Sequence, residues 1–160
     1  MLLLIIAPNP ILRAKNEAIK FPLSSEIIEL IPEMFKAMNN LKGIGLAAPQ
    51  IGHNINLMVI ATAQGPQAFI NPRIVKFSYI NESMEEGCLS VPHVFGIVKR
   101  ARSIKVEYFT DQGIKKQQSY HGLMARIYQH ELDHLNGILF IDQVKNITVG
   151  QELLKKYATN

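Results

Sequence analysis

An α+β fold is predicted for this 160-residue chain by three features of its sequence. Apolar residues recur at helical spacing between Ser24 and Gly43, short β-branched and aromatic runs fill the stretch from Ile55 to Glu107, and a second helical stripe runs from Gly122 to Leu135. The length suits a single domain, residues 1–160, large enough to bury about two-thirds of the surface its unfolded chain would expose. Hydrophobic residues make up 48% and charged residues 19%. With no repeat, polar tract or compositional shift, an ordered core is expected.

The opening Leu2-Leu3-Leu4-Ile5-Ile6 is apolar, but it has no basic flank and stops at Pro8. That is too short for a signal peptide or a membrane span, so it is expected to pack on the core. Ser24 and Ser25 are suitable N-caps for a helix carrying Ile27, Ile28, Ile31, Met34, Phe35, Met38 and Leu41 on one side, with Gly43 as its stop. Pro32 lies inside that pattern, so either the helix kinks there or its regular part begins there. Strands are expected over Ile55 to Ile60, Ala68 to Ile80 and Ile104 to Phe109, and Asp111-Gln112-Gly113 reads as a hairpin turn. Asn136-Gly137 closes the second helix, and a short amphipathic segment from Val149 to Tyr157 ends the pattern.

Cys88 is the sole cysteine, which excludes an intrachain disulfide and points to a reducing compartment, the cytoplasm. The net charge of +4 favours acidic surfaces. Its cations are nevertheless spread along the chain without a nucleic-acid motif or interleaved aromatics, so a solvated surface is the plainer reading and no specific DNA partner is expected.

The second helix carries the chemistry. At about 100° per residue, Leu123, Ile127, His130 and His134 share one stripe, which sets two imidazoles one turn apart on the same face. Glu131 lies beside the stripe, within reach of a water on the metal without being a ligand, as in H-E-x-x-H helices. The competing reading is a helix with two buried, hydrogen-bonded histidines. A catalytic site needs a third ligand. The metzincin pattern fails because Phe140 stands where its last histidine belongs, and a thermolysin-like Glu152 leaves little chain to build such a site. Cys88 remains: thiolate with two imidazoles suits zinc and ferrous iron. By itself, however, a lone cysteine reads as a small buried apolar residue.

The surroundings of Cys88 change that reading. Glu86-Gly87-Cys88-Leu89-Ser90, Gly43-Ile44-Gly45-Leu46-Ala47-Ala48-Pro49-Gln50 and Gln129-His130-Glu131-Leu132-Asp133-His134 resemble, in order, the signature segments of peptide deformylases. The resemblance extends to Pro10-Ile11-Leu12-Arg13 and Leu139-Phe140-Ile141-Asp142, so it covers most of the chain. It implies antiparallel β-sheets packed around a central helix carrying HELDH, with one divalent metal ion on Cys88, His130 and His134. It further implies ferrous iron ahead of zinc, and hydrolytic removal of formyl from the N-terminal methionine of nascent polypeptides. The Gln50 side chain and the Leu89 backbone N–H would be the donors to the intermediate. Pro32 and the short tail after Gly150 depart from the pattern.

The residues can also be given physical roles. Glu131 should take the water's proton and pass it to the departing amine. Gly43 and Gly45 permit positive φ and close backbone approach, so an extended substrate could join this segment as an added strand. Ile44, Gly45, Leu123 and Ile127 are the expected substrate-binding residues, forming an apolar slot suited to a thioether. Glu86 and Arg100 are expected to pair and brace the cysteine loop, with Asp133 orienting nearby groups. His53, His93 and His121 are expected at the surface in turns. A transient ribosome contact is compatible with the basic surface, and no membrane association is expected. The competing functions are another zinc hydrolase or peptidase and a non-catalytic metal or formyl-peptide binder; intact Glu131 argues against the last.

Overall fold

The structure, a computed structural model, describes residues 2–157. Its first long element is α1 (Ser25–Asn40), capped by Ser24, whose hydroxyl accepts the Ile27 N–H at 3.4 Å. Ile31, Met34 and Met38 face the core while Pro32 is exposed, and the helix starts a full two turns before the proline rather than at it. Its stop differs from expectation. Lys42, not Gly43, takes the left-handed conformation (φ 55°), and the N–H groups of Lys42 and Gly43 close the end on Asn39 and Met38 carbonyls.

Among the described residues eight strands follow: β1 (Gly45–Ala47), β2 (Leu57–Thr62), β3 (Gly65–Phe77), β4 (Asn81–Cys88), β5 (Val91–Ala101), β6 (Ser103–Phe109), β7 (Lys115–His121) and, after the helices, β8 (Asn146–Val149). They form two antiparallel sheets, one ordered β1-β2-β3-β6-β7 and the other β4-β5-β8. The Asp111–Gly113 turn joins β6 to β7 as expected, with Gly113 at φ 74°. β3 ends at Phe77, short of Ile80, and Val149 belongs to β8 rather than to the terminal helical segment, which is a 3₁₀ turn followed by α4 (Leu154–Tyr157).

Between β7 and the short α3 (Phe140–Gln143) lies α2 (Gly122–Leu135), the central helix. The Ile138 N–H returns to the Asp133 carbonyl at 2.9 Å, and Gly137 follows at φ 71°. One face of the five-stranded sheet packs Met58, Phe69, Val106 and Tyr108 against Ala125, Ile127 and Tyr128 of α2; α1 covers the other face through Met34 and Met38. The second sheet shares a third cluster with Leu12, Leu139, Phe140 and Tyr157. The helix is therefore enclosed on several sides, which explains why Arg126, Gln129, Glu131 and His134 are all buried.

The opening segment meets its expectation in part. Leu2, Leu4 and Ile5 pack on the clusters, whereas Leu3 is 78% exposed. Its backbone also links two motif loops, Ile5 N–H donating to Gln50 O at 2.7 Å and Ala7 N–H to Ser90 O at 2.9 Å. Arg13 pairs with Asp142 (Nη2 to Oδ1 2.9 Å), joining the two outlying segments of the sequence pattern. No helix among the described residues is long and apolar enough to cross a membrane.

Candidate metal centre

Three elements meet at the site: the end of β4, the middle of α2 and the turn after β1. Cys88, His130 and His134 place one ligand atom each within 4.8 Å of one another, and Cys88 Sγ stands 3.2 Å from His134 Nε2. His130 turns Nδ1 to Glu86 Oε2 at 3.0 Å, which leaves its Nε2 for a ligand role. His134 is 1% exposed and closes the back of the site. A thiol and two imidazoles from two elements, converging without a ladder bond between those elements, fit a single borderline cation.

Glu131 lies beside this group, 5% exposed, with Oε2 lacking a partner among the described residues. Burial pushes its carboxyl up to about 7, against the lowering effect of His130 and Arg100. That suits a group which must both accept and return a proton near neutrality. Room for it comes from Gly45: a Cβ there would sit 2.4 Å from Glu131 Oε1. Neither Gly43 nor Gly45 has positive φ, so that part of the expectation is corrected. Close approach is what both positions use, a Cβ at Gly43 falling 3.0 Å from Leu89 Cδ1.

Gln50 is 2% exposed, and its orientation is set by the turn it follows. Oε1 accepts the Ala47 N–H at 2.8 Å, so Nε2 points the other way, donating to Ser90 Oγ at 3.2 Å and lying 3.7 Å from Cys88 Sγ. The amide NH2 is thereby turned toward the cysteine turn, with one hydrogen bond to Ser90 and only a long contact to the sulfur, so that its second hydrogen faces the site.

A buried charge network supports the imidazoles. Arg100 donates from Nε and Nη2 to Glu86 at 2.7 and 2.9 Å, and from Nη1 to Asp133 at 2.8 Å, as the sequence suggested. Burial alone would raise the Glu86 carboxyl, but hydrogen bonds from His130 and Arg100 outweigh it and hold it at about 2. Burial opposes charge on His130 too, yet its bonds to Cys88 and Glu86 raise it to about 10; for His134 burial prevails and lowers it. Arg126, which sequence reasoning missed, donates to Glu86 Oε1 at 2.5 Å.

A cleft of about 520 Å³ opens onto the centre. Ile44, Gly45, Gln50, Cys88, Leu89, Leu123, Ile127, His130 and Glu131 all line it, and His134 sits behind. Ile127 is 8% exposed and forms an inner wall, whereas Ile44 and Leu123 are more than half exposed at the mouth. Among the described residues β1 is an edge strand bonded only to β2, and its first residue, Gly45, lines the cleft where an added strand would join. His53, His93 and His121 are all exposed, as expected, although two of them sit on strands rather than in turns. His93 belongs to β5 at φ 64° and lines the cleft, and His121 ends β7, its Nδ1 2.7 Å from Ser103 Oγ.

The family model described as Polypeptide deformylase matches residues 1–149. A curated peptide deformylase of Brucella suis is 40% identical over 149 residues, covering 90% of this chain and 85% of the relative. That of Pseudothermotoga lettingae is 42% identical over 136 residues, covering 85% and 78%. Among solved structures, the Thermotoga maritima peptide deformylase superposes with a TM-score of 0.86 at 36% identity, covering 91% of this chain and 98% of that one. The Synechococcus elongatus enzyme in complex with actinonin gives 0.88 at 36% identity, covering 98% and 83%.

Proposed function

The chain belongs to the peptide deformylase family and is an enzyme of that kind; from this premise we propose that it hydrolyses the formyl group from N-terminal formyl-methionine of nascent polypeptides through the centre at Cys88, His130 and His134. The observation that carries the proposal is the convergence of those three side chains beside a buried Glu131 whose Oε2 has no partner among the described residues, in a cleft bordered by the edge strand.

Cys88, His130 and His134 would hold one divalent ion, ferrous iron ahead of zinc, which when bound supplies Lewis acidity toward water and the formyl carbonyl. The substrate lies along β1 as an added strand, its methionine side chain between Ile127, Leu123 and Ile44. Glu131 removes a proton from the attacking water as oxygen bonds to the formyl carbon. The negative oxygen that develops there accepts hydrogen bonds from the Gln50 amide and the Leu89 backbone N–H. Glu131 then returns the proton to the amine nitrogen as the C–N bond breaks, releasing formate and the free N-terminus. The small Gly43–Gly45 backbone and the Glu131 carboxylate leave little space around the reacting carbon, which favours formyl over larger acyl groups.

The test is formate release from formyl-Met peptides, with acetyl-Met peptides as the comparison and metal analysis of the same sample. Formate release with one ion per chain is expected; hydrolysis of the acetyl peptide at a similar rate would overturn the assignment. The single cysteine in a chain that would hold ferrous iron also favours a reducing cytoplasm as the working compartment. An iron-loaded sample should lose activity in air faster than a zinc-loaded one, and equal rates would remove metal oxidation from the account.

A further inference from the structure

We propose that Arg126 is a positioning residue that sets the spacing between Cys88 on β4 and His130 on α2. The inference rests on the metal-centre reading above and deepens it. The ligands come from two elements that share no ladder, so something must fix how far the strand end stands from the helix. Glu86 and Arg126 occupy corresponding places on the two sides. Glu86 lies two residues before Cys88 on β4, and Arg126 lies four before His130, one turn away on the same helix face.

The guanidinium spans the gap. Its Nη1 donates to Glu86 Oε1 at 2.5 Å and to the Val98 carbonyl of β5 at 3.1 Å, while Nη2 donates to the Glu82 carbonyl of β4 at 2.6 Å. One helical side chain is thus bonded to both strands of the cysteine hairpin. Neutralising Glu86 does not require it, because Arg100 already supplies two hydrogen bonds and a charge. Arg100 and His130 already link Glu86 and its sheet to α2, through Asp133 and through the imidazole; what Arg126 adds is direct bonds from the helix to the backbone of both strands. It also decides the carboxylate's orientation. Oε1 is taken by both guanidiniums, and Oε2 is left to Arg100 Nη2 and His130 Nδ1. With the Arg126 side chain 6% exposed, water has little access to replace it.

The experiment compares R126M and R126K with the unaltered chain, all loaded with cobalt(II), together with R73M as a control on the exposed Arg73–Glu107 pair outside the cleft. The readouts are the visible ligand-field spectrum, the rate of cobalt release to a chelator, and thermal unfolding. R126M is expected to release cobalt about 10- to 100-fold faster with an altered spectrum. R126K should fall between, since an ammonium can reach Glu86 but cannot bond both strands in a planar fork. R73M should match the parent in spectrum and in cobalt release rate. Parental release rates and spectra in R126K and R126M would overturn the proposal, as would an equal change in R73M. If R126M does not unfold cooperatively, R126K alone decides, by whether its release rate rises while its melting stays cooperative. Failure of the underlying reading looks different: the unaltered chain, or C88A, would then fail to distinguish itself in cobalt stoichiometry.

Discussion

At the scale of single residues the site depends on what each side chain is prevented from doing. Gln50 cannot turn its oxygen toward Cys88 because the Ala47 N–H holds it, and Glu131 cannot move toward β1 without striking the backbone at Gly45. Gly45→Ala should therefore displace the carboxylate while leaving the ligands in place: full metal content and at least about a tenfold loss of kcat are expected, and unchanged kcat would count against the contact. Glu131→Gln should likewise keep its metal yet lose several orders of magnitude in turnover, measured as formate release. Cys88→Ala should lose stoichiometric metal altogether, and full occupancy by elemental analysis would refute the third ligand. Helical spacing alone pointed to His130, His134 and Glu131; Cys88, Gln50 and the Glu86–Arg100 pair were singled out through the resemblance of their segments to the family's, because a lone cysteine or glutamine carries no spacing of its own, and the structure brings all of them together. Arg126 was not legible, because an arginine on a helix face reads as solvated, and only the three-dimensional enclosure of α2 buries it.

At the scale of elements, α2 was the most legible, bounded by Gly122 and Leu135 as its pattern required. β4 was the least: Asn-Glu-Ser-Met-Glu-Glu-Gly-Cys has no apolar alternation, since its one fully buried position is Glu86, satisfied by charge rather than by packing. The end of α1 misled because glycine is the usual left-handed residue; here Lys42 takes that conformation, and Gly43 is reserved for the approach to Leu89. The inner wall of the cleft gives this scale its prediction. Burying a methionine-sized side chain is worth roughly 1.5–3 kcal/mol, so formyl-Met-Ala should exceed formyl-Ala-Ala by about one to two orders of magnitude in kcat/KM. Ile127→Ala should blunt that ratio at unchanged metal content. The same ratio in both proteins would place the pocket away from Ile127.

At the scale of the whole molecule, the two sheets and the helix between them are joined through buried charge as well as apolar packing. Glu86 on β4 collects Arg100 from β5 and both Arg126 and His130 from α2, so the joint is only as stable as that carboxylate is ionised. Its folded-state value of about 2 lies below the ordinary 4.5. For a carboxyl lowered by folding, the contribution is fully present above the unfolded value and disappears as pH falls through the folded one. The window is therefore about pH 4.5 down to about 2, and the size is at most about 3 kcal/mol, on the order of 10 °C in Tm for a chain of this length. Glu86→Gln removes the charge at every pH and mimics the protonated form. Both proteins shed metal in acid and share their other ion pairs, so the difference between their melting temperatures isolates this carboxylate. That difference should be largest above pH 5 and shrink steadily toward pH 2. A gap independent of pH would mean that Glu86 serves the joint by shape alone, with its charge already neutralised at no gain to the fold.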